Sequence, residues 1–187
     1  MLALVLIAGC VLGFARLLVG LGRLRAFARR ASSLLPPEAE TLSAWAEELG
    51  ARATFLVSDE AGGPATFGVL RPKVLLPPAF LAMDTERRRA VVLHEVLHVR
   101  RRDWLSTLLE EALRALLWFQ PAVHALVARL RLCREQCVDA AVVDALGGRE
   151  AYLEALVEMA RVSVAVRAPL PAALLLREQH LRARIEL

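Results

Sequence analysis

Aromatic residues make up only 5% of the 187-residue chain, and it contains three cysteines and four histidines. With so few aromatics, Leu, Ala and Val must supply the apolar surface. Hydrophobic residues nevertheless reach 57% and the mean hydropathy is +0.46, high for a soluble protein. The odd cysteine count, with Cys10 inside an apolar run, suggests no disulfide framework and fits a reducing, cytoplasmic compartment. Cys133 and Cys137 stand one helical turn apart and could meet a metal; small buried apolar residues are the plainer reading. There is no internal repeat and no low-complexity tail. The formal charge is +4 and the pI about 9.6. No basic helix is interleaved with aromatics, and no zinc-finger or RNA-module signature occurs, so direct nucleic-acid binding is not expected. An anionic membrane face accounts better for the charge.

The apolar character is concentrated at the start. Met1 to Gly22 is apolar except for Arg16, and about 20 such residues cross the hydrocarbon as a helix. Arg16 lies near one end and could snorkel into the headgroups. Arg23, Arg25, Arg29 and Arg30 follow, which places that end in the cytoplasm. A cleaved signal peptide would carry its positive charge before the apolar run and a small-residue site after it. The alternative is a buried hairpin helix of a soluble protein. The expected organisation is a transmembrane helix over 1–22, a basic juxtamembrane linker over 23–37 and one domain over 38–187. A Pro-Pro break falls inside the linker stretch Ala31 to Glu40.

Within that domain the pattern is mainly α with a small β-sheet. Glu38 to Leu49 reads as a helix with Leu42, Trp45, Ala46 and Leu49 on one side and Gly50 as its stop. Arg52 to Ser58 is a strand. Phe67 to Leu76 is a second strand interrupted by Pro72, which favours the sheet edge. From Asp84 onward the pattern is helical: one helix capped by Asp84 or Thr85 and running to Val99, and a second, Trp104 to Trp118, capped by Asp103. A long helix follows from Pro121 to Gly147-Gly148. Two more are expected near Arg149 to Val166 and Ala172 to Glu186. Leu116 to Ala128 is apolar but short, and belongs either to a membrane interface or to the helical core.

The helix after Asp84 contains HEVLH, His94 to His98. Positions four apart on a helix differ by about 40° around the axis, so His94 and His98 point the same way. Two imidazoles so placed can grip one zinc ion, and Glu95 can reach a water as general base. The flanking Ala90, Val91, Val92, Leu93, Val96 and Leu97 would make the site dry. The competing reading is a buried hydrogen-bond network without metal. A catalytic zinc needs a third protein ligand, and His124, His180 and the carboxylates of the long helix are candidates. Glu135 and Asp139 share a face of that helix. Glu135 could ligate while Asp139 hydrogen-bonds a ligand histidine; alternatively they form a solvated face with Arg131 and Arg134. His124 lies about 16 Å from Glu135 along a straight helix, so the two cannot share one ion. Asp103 lies about 180° from His94 and is a poor ligand candidate.

FGVLRPKVLLP, HEVLH, RRRD, WFQPAVHAL and REQCVDAAV occur in that order between Phe67 and Val143, with a weaker echo in LRARIEL at the end. This order resembles the BlaR/MecR-type antirepressor membrane metallopeptidases, a gluzincin-like family with HExxH followed by ExxxD. The resemblance implies His94, His98 and Glu135 as zinc ligands, Glu95 as the base and Asp139 as the partner of a ligand histidine. One departure is local: the family commonly has Ala-Cys-Asp where this chain has Cys137-Val138-Asp139. The implied protein is a membrane-tethered zinc endopeptidase at the cytoplasmic membrane, its peptidase domain in the cytoplasm. Its substrate would be a protein such as a transcriptional repressor, with membrane lipid beside it. Arg100 to Arg102 would mark the cytosolic end of the zinc helix. Related transducers carry further transmembrane helices and an extracellular sensor. A chain with one candidate span is then a fragment, a mis-started chain or a minimal protease with a separate sensor protein. In the expected chemistry Glu95 takes a proton from water and passes it to the leaving amine, zinc supplying Lewis acidity. The strand near Val69 to Leu75 is expected to hold substrate by strand addition. Nothing selects an oxyanion stabiliser between an arginine and His124. Two rivals remain: a catalytically silent membrane scaffold keeping the fold, and a soluble helical binding module whose first helix is core.

Overall fold

A computed structural model describes residues 1–165; for Ala151 and residues 159–165 it describes the backbone alone. The expected helix Ala172 to Glu186 and His180 lie outside the described residues. The elements in chain order are α1 (Leu2–Arg30), β1 (Ser32–Ser33), α2 (Glu38–Glu48), β2 (Thr54–Val57), β3 (Ala65–Phe67) and β4 (Lys73–Leu76). A 3-10 turn, Pro78–Ala82, leads into α3 (Thr85–Arg100), α4 (Asp103–Leu116), α5 (Pro121–Leu146) and α6 (Glu150–Ala165). The described chain is mainly helical, with one small mixed sheet.

α1 does not stop at Gly22. It runs on through the basic residues to Arg30, so the segment expected to begin a linker is the last two turns of the same helix. That end is anchored: Leu24, Phe27 and Ala28 are buried. The apolar part above it is not, with Leu4 71%, Ile7 60% and Leu18 67% exposed. These exposures count against a soluble module that buries its first helix in a core.

The strand order is β1-β2-β4-β3. β4 pairs parallel with β2 and antiparallel with β3, so it is interior, not an edge. This corrects the expected single strand from Phe67 to Leu76, and with it the strand-addition role of Val69 to Leu75. Gly68 has φ +95, where an added Cβ would lie 2.7 Å from the Arg71 carbonyl oxygen, so the chain reverses there. Pro72, lacking an N–H, ends the turn; its carbonyl accepts from Thr54 N at 2.9 Å.

Alternation along the strands gives the sheet two buried faces. Phe55, Val74 and Leu76 face the main core, with Leu42 and Ala46 of α2, Val91 to Leu93 of α3, and Val138 and Val142 of α5. Leu56, Ala65, Phe67 and Leu75 face a second core shared with Leu24 and Phe27 of α1 and Trp104 of α4. Thr66, between Ala65 and Phe67, therefore points toward α3.

α3 is capped by Asp84, whose Oδ1 accepts from Arg87 N at 2.8 Å. Arg87 Nη2 meets Glu154 Oε2 at 2.8 Å, docking α6 on the start of α3. That hydrogen bond first, then the charge of Asp84, raises the Arg87 pKa above its usual value. Ala90 to His98 are all buried, as the apolar flanks required. α3 ends where Arg102 adopts φ 58, a left-handed conformation uncommon outside glycine. Arg102 is thus the N-cap residue of α4, and Asp103 is its first helical residue, not the cap expected. α5 begins with Pro121 at its first turn and stops at Gly147, φ +68. Leu116, Phe119 and Leu126 are 53%, 50% and 56% exposed, so Leu116 to Ala128 is not core, although Val127 is buried.

Candidate metal centre

α3 and α5 cross so that three donors converge. His94 and His98, one turn apart on α3, bring their Nε2 atoms within 3.2 Å. Glu135 of α5 places Oε2 3.6 Å from His94 Nε2 and Oε1 3.6 Å from His98 Nε2. One ligand atom from each of the three residues lies within 4.8 Å of the others. Among the described residues this is the only such group of histidine, cysteine and carboxylate side chains.

The far side of each ring is held. His98 Nδ1 lies 2.8 Å from Asp103 Oδ2. An ionised carboxylate only accepts, so the ring proton sits on Nδ1 and Nε2 turns a lone pair inward. His94 Nδ1 lies 2.9 Å from the Tyr152 hydroxyl and 3.4 Å from Asp139 Oδ1. The Tyr152 hydroxyl in turn donates to Asp139 in a short hydrogen bond. With both Nδ1 atoms facing oxygen, the two Nε2 atoms and the Glu135 carboxylate face one buried space, an arrangement a cation between them would favour. Ligands about 2.0–2.1 Å from a tetrahedral ion stand roughly 3.3 Å apart. The observed 3.2 and 3.6 Å separations are of that size. The donor set fits a divalent metal ion.

Glu95 is buried beside this group. The hydroxyl of Thr66, on β3, donates to Glu95 Oε2 at 2.7 Å and lies 3.2 Å from the Glu95 carbonyl oxygen. The edge strand of the sheet thus fixes the glutamate while its neighbours on α3 turn to the ion site.

Glu135 and Asp139 are not a solvated face: their side chains are 14% and 10% exposed. Arg134 is buried with them. Cys133 and Cys137, expected to be buried, are exposed, because that side of α5 turns away from α3; neither joins the metal group. His124 is far from the site, as the helix rise required. Its Nδ1 is 3.3 Å from Arg114 Nε and its Nε2 3.1 Å from the Trp118 carbonyl. Three residues around the site carried no recognised sequence signal. Asp103 follows a helix end and was legible only as a cap. Thr66 and Tyr152 are 28 or more positions from the nearest histidine, beyond any helical spacing. Tyr152 is the only tyrosine in the chain, and that alone could have marked it.

Two imidazoles and a carboxylate, with a buried glutamate alongside, thus form a group that could hold a metal ion. Over residues 1–187 the chain matches the family described as BlaR1 peptidase M56, and it belongs to that family. It is similar to Regulatory protein BlaR1 of Bacillus licheniformis, with 34% identity over 83 residues. The aligned stretch is 44% of this chain but only 14% of that protein. Membership in a peptidase family, together with the exposed apolar N-terminal helix, fits a membrane-anchored protease.

Proposed function

We propose that the protein is a membrane-tethered zinc endopeptidase with a gluzincin-like site. His94, His98 and Glu135 would hold the ion, Glu95 would act as general base, and Asp139 would orient His94. The observation that carries this reading is the convergence of three donors whose outer atoms are already held. Two imidazoles and one carboxylate leave a fourth position open, the pattern of catalytic zinc sites. When bound, the ion supplies the Lewis acidity that acidifies an attacking water and polarises a carbonyl. Glu95, fixed by Thr66, takes the proton from that water and delivers it to the leaving amine. Asp103 and Asp139 hold the rings and favour the tautomer that ligates.

Residues 1–22 would span the cytoplasmic membrane, with 23–37 the basic juxtamembrane connection, helical through Arg30. Residues 38–187 would form the peptidase domain on the cytoplasmic side. The similarity to a regulatory protein supports a cytoplasmic regulatory protein, such as a repressor, as the substrate.

The test is metal content by elemental analysis of wild type and Glu135→Ala, with cleavage of casein or a candidate repressor measured beside Glu95→Ala. Zinc near one per chain, lost in Glu135→Ala and kept in an inactive Glu95→Ala, is the expected result. Zinc without cleavage in wild type would favour a silent scaffold. Absence of metal from wild type would overturn the site.

A further inference from the structure

α4 and α5 form a helical hairpin that runs alongside α1. At its tip, Trp118 Nε1 donates to the Leu6 carbonyl at 3.3 Å, and Cys10 Sγ donates to the Leu116 carbonyl at 3.3 Å. A Cβ at Gly13 would lie 2.8 Å from Ala115 Cβ, and one at Gly9 would overlap the Trp118 ring. At the base, Trp104 shares a core with Leu24 and Phe27. α4 is therefore antiparallel to α1 and matched to it in height. At about 1.5 Å per residue, Leu6 stands roughly 24 Å and Gly13 roughly 14 Å from Gly22 along the axis. If Met1 to Gly22 crosses a bilayer, the hairpin lies at the same depth.

Its surface has the character that depth demands. On α4, Leu105, Leu109, Leu113 and Leu116 recur at helical spacing and are 40%, 64%, 41% and 53% exposed. On α5, Leu126 and Leu130 are 56% and 48% exposed. Glu110, Glu111, Arg114, Arg131 and Arg134 turn inward and pair, whereas Arg129 on α5 and Arg16 on α1 are exposed and would have to snorkel to the headgroups along their apolar stems. Arg131 Nε meets Glu110 Oε2 at 3.0 Å, Arg114 Nη1 meets Glu111 Oε1 at 2.9 Å, and Arg134 makes a short bond to Glu110. Charges inside hydrocarbon are expected in this form, facing protein and compensated. The turn at the tip is closed internally, with Leu117 N bonded to Leu113 O at 2.8 Å and Gln120 N to Leu117 O at 2.9 Å. Trp118 and Phe119 stand beside it.

We propose that α4 and the first half of α5 are a re-entrant hairpin embedded in the bilayer that α1 spans, with lipid acyl chains covering the leucine stripe. This rests on the reading of α1 as a membrane anchor. Continuity with the exposed apolar face of α1 selects lipid as the occupant. A consequence follows for the site: Asp103, at the base of the hairpin, and His98, bonded to it, lie at the cytosolic membrane surface. The substrate bond must then be presented at the headgroups.

The test is site-directed spin labelling of the full chain in nanodiscs, in a Cys10→Ser, Cys133→Ala, Cys137→Ala background. Labels go at Leu12→Cys on α1, Leu109→Cys and Leu126→Cys on the hairpin, and Ala44→Cys on exposed α2. Collision with lipid-soluble oxygen is compared with collision with a water-soluble nickel chelate. The expected result is oxygen preference at 12, 109 and 126 and nickel preference at 44. Nickel preference at 109 and 126 with oxygen preference at 12 overturns the hairpin and leaves the anchor standing. Nickel preference at 12 overturns the anchor itself. Protection of 109 and 126 from both reagents means that protein, such as a second copy, covers the stripe, and it overturns lipid as the occupant. Leu113→Cys replaces any labelled variant that does not fold.

Discussion

Adjacent residues of α5 point into two buried polar clusters built on opposite plans. Glu135 faces His94 and His98, where lone pairs converge on one space. Arg134 faces Glu110 and Asp103, in a set of carboxylates and guanidiniums that alternate and bond to one another. Both clusters are buried and rich in charge, but one gathers two imidazoles and a carboxylate around one space whereas the other sets guanidiniums against carboxylates. Burial of charge does not distinguish a site from a scaffold; the convergence of metal-ligating groups on one point does. Asp103 belongs to both, with Oδ2 on His98 at 2.8 Å and Oδ1 3.6 Å from Arg134 Nε.

The comparison breaks most sharply at Glu95. Glu95→Gln keeps an oxygen to accept from Thr66 but cannot take a proton. Cleavage should fall by about 10²–10⁴-fold, with metal content unchanged. Steady-state hydrolysis and elemental analysis on one preparation check it, and retained activity would remove Glu95 from the chemistry.

On the other plan, Glu110→Ala strips a partner from both Arg131 and Arg134. Leaving buried charges uncompensated should destabilise the protein by about 3–5 kcal/mol, read from unfolding in detergent micelles. Replacing all three by leucine or methionine should restore most of that loss, because a self-compensating cluster can be exchanged for apolar packing. No such exchange is available to His94, His98 and Glu135 if they hold an ion. Full metal binding by an apolar replacement there would erase the distinction between the clusters.

Asp103→Asn acts on the shared residue. The amide oxygen can still face His98 Nδ1 but brings no charge. Metal affinity, measured by competition with a chelator, should fall about 10–100-fold. An unchanged affinity would assign Asp103 to the ion-pair cluster alone.

What the sequence made legible was local. The histidine pair, Glu135 and Asp139, and the helices carrying them follow from spacings of three to four residues, which the α-helix fixes by itself. The Phe67 to Leu76 stretch failed because a strand and a hairpin share the same β-rich composition, and only Gly68 and Pro72 separate them. The basic end of α1 reads as a linker because its helix is stabilised by a tertiary contact, Phe27 against the far face of the sheet. Cys133 and Cys137 are exposed because α5 buries a narrower stripe than its apolar content suggests. Asp103, Thr66 and Tyr152 reach the site through a left-handed turn, a sheet edge and a distant helix, so periodicity carries no trace of them.

The smallest effect is expected at Tyr152. Its ring stacks near His94, with centroids 6.1 Å apart and planes 23° from parallel, and its hydroxyl bridges His94 Nδ1 and Asp139. Tyr152→Phe keeps the ring and removes the bridge. Asp139 Oδ1 remains 3.4 Å from His94 Nδ1 and can close on it, so the imidazole keeps a charged partner. The loss should be that of one hydrogen bond, about 0.5–1.5 kcal/mol, or roughly two- to twelvefold in metal affinity. It should therefore be smaller than for Asp103→Asn, because His98 is held by its carboxylate directly whereas His94 is held by a carboxylate and a phenol together. Equal losses in the same chelator competition would mean that the phenol, not Asp139, sets the His94 tautomer. The two rings would then depend equally on their partners.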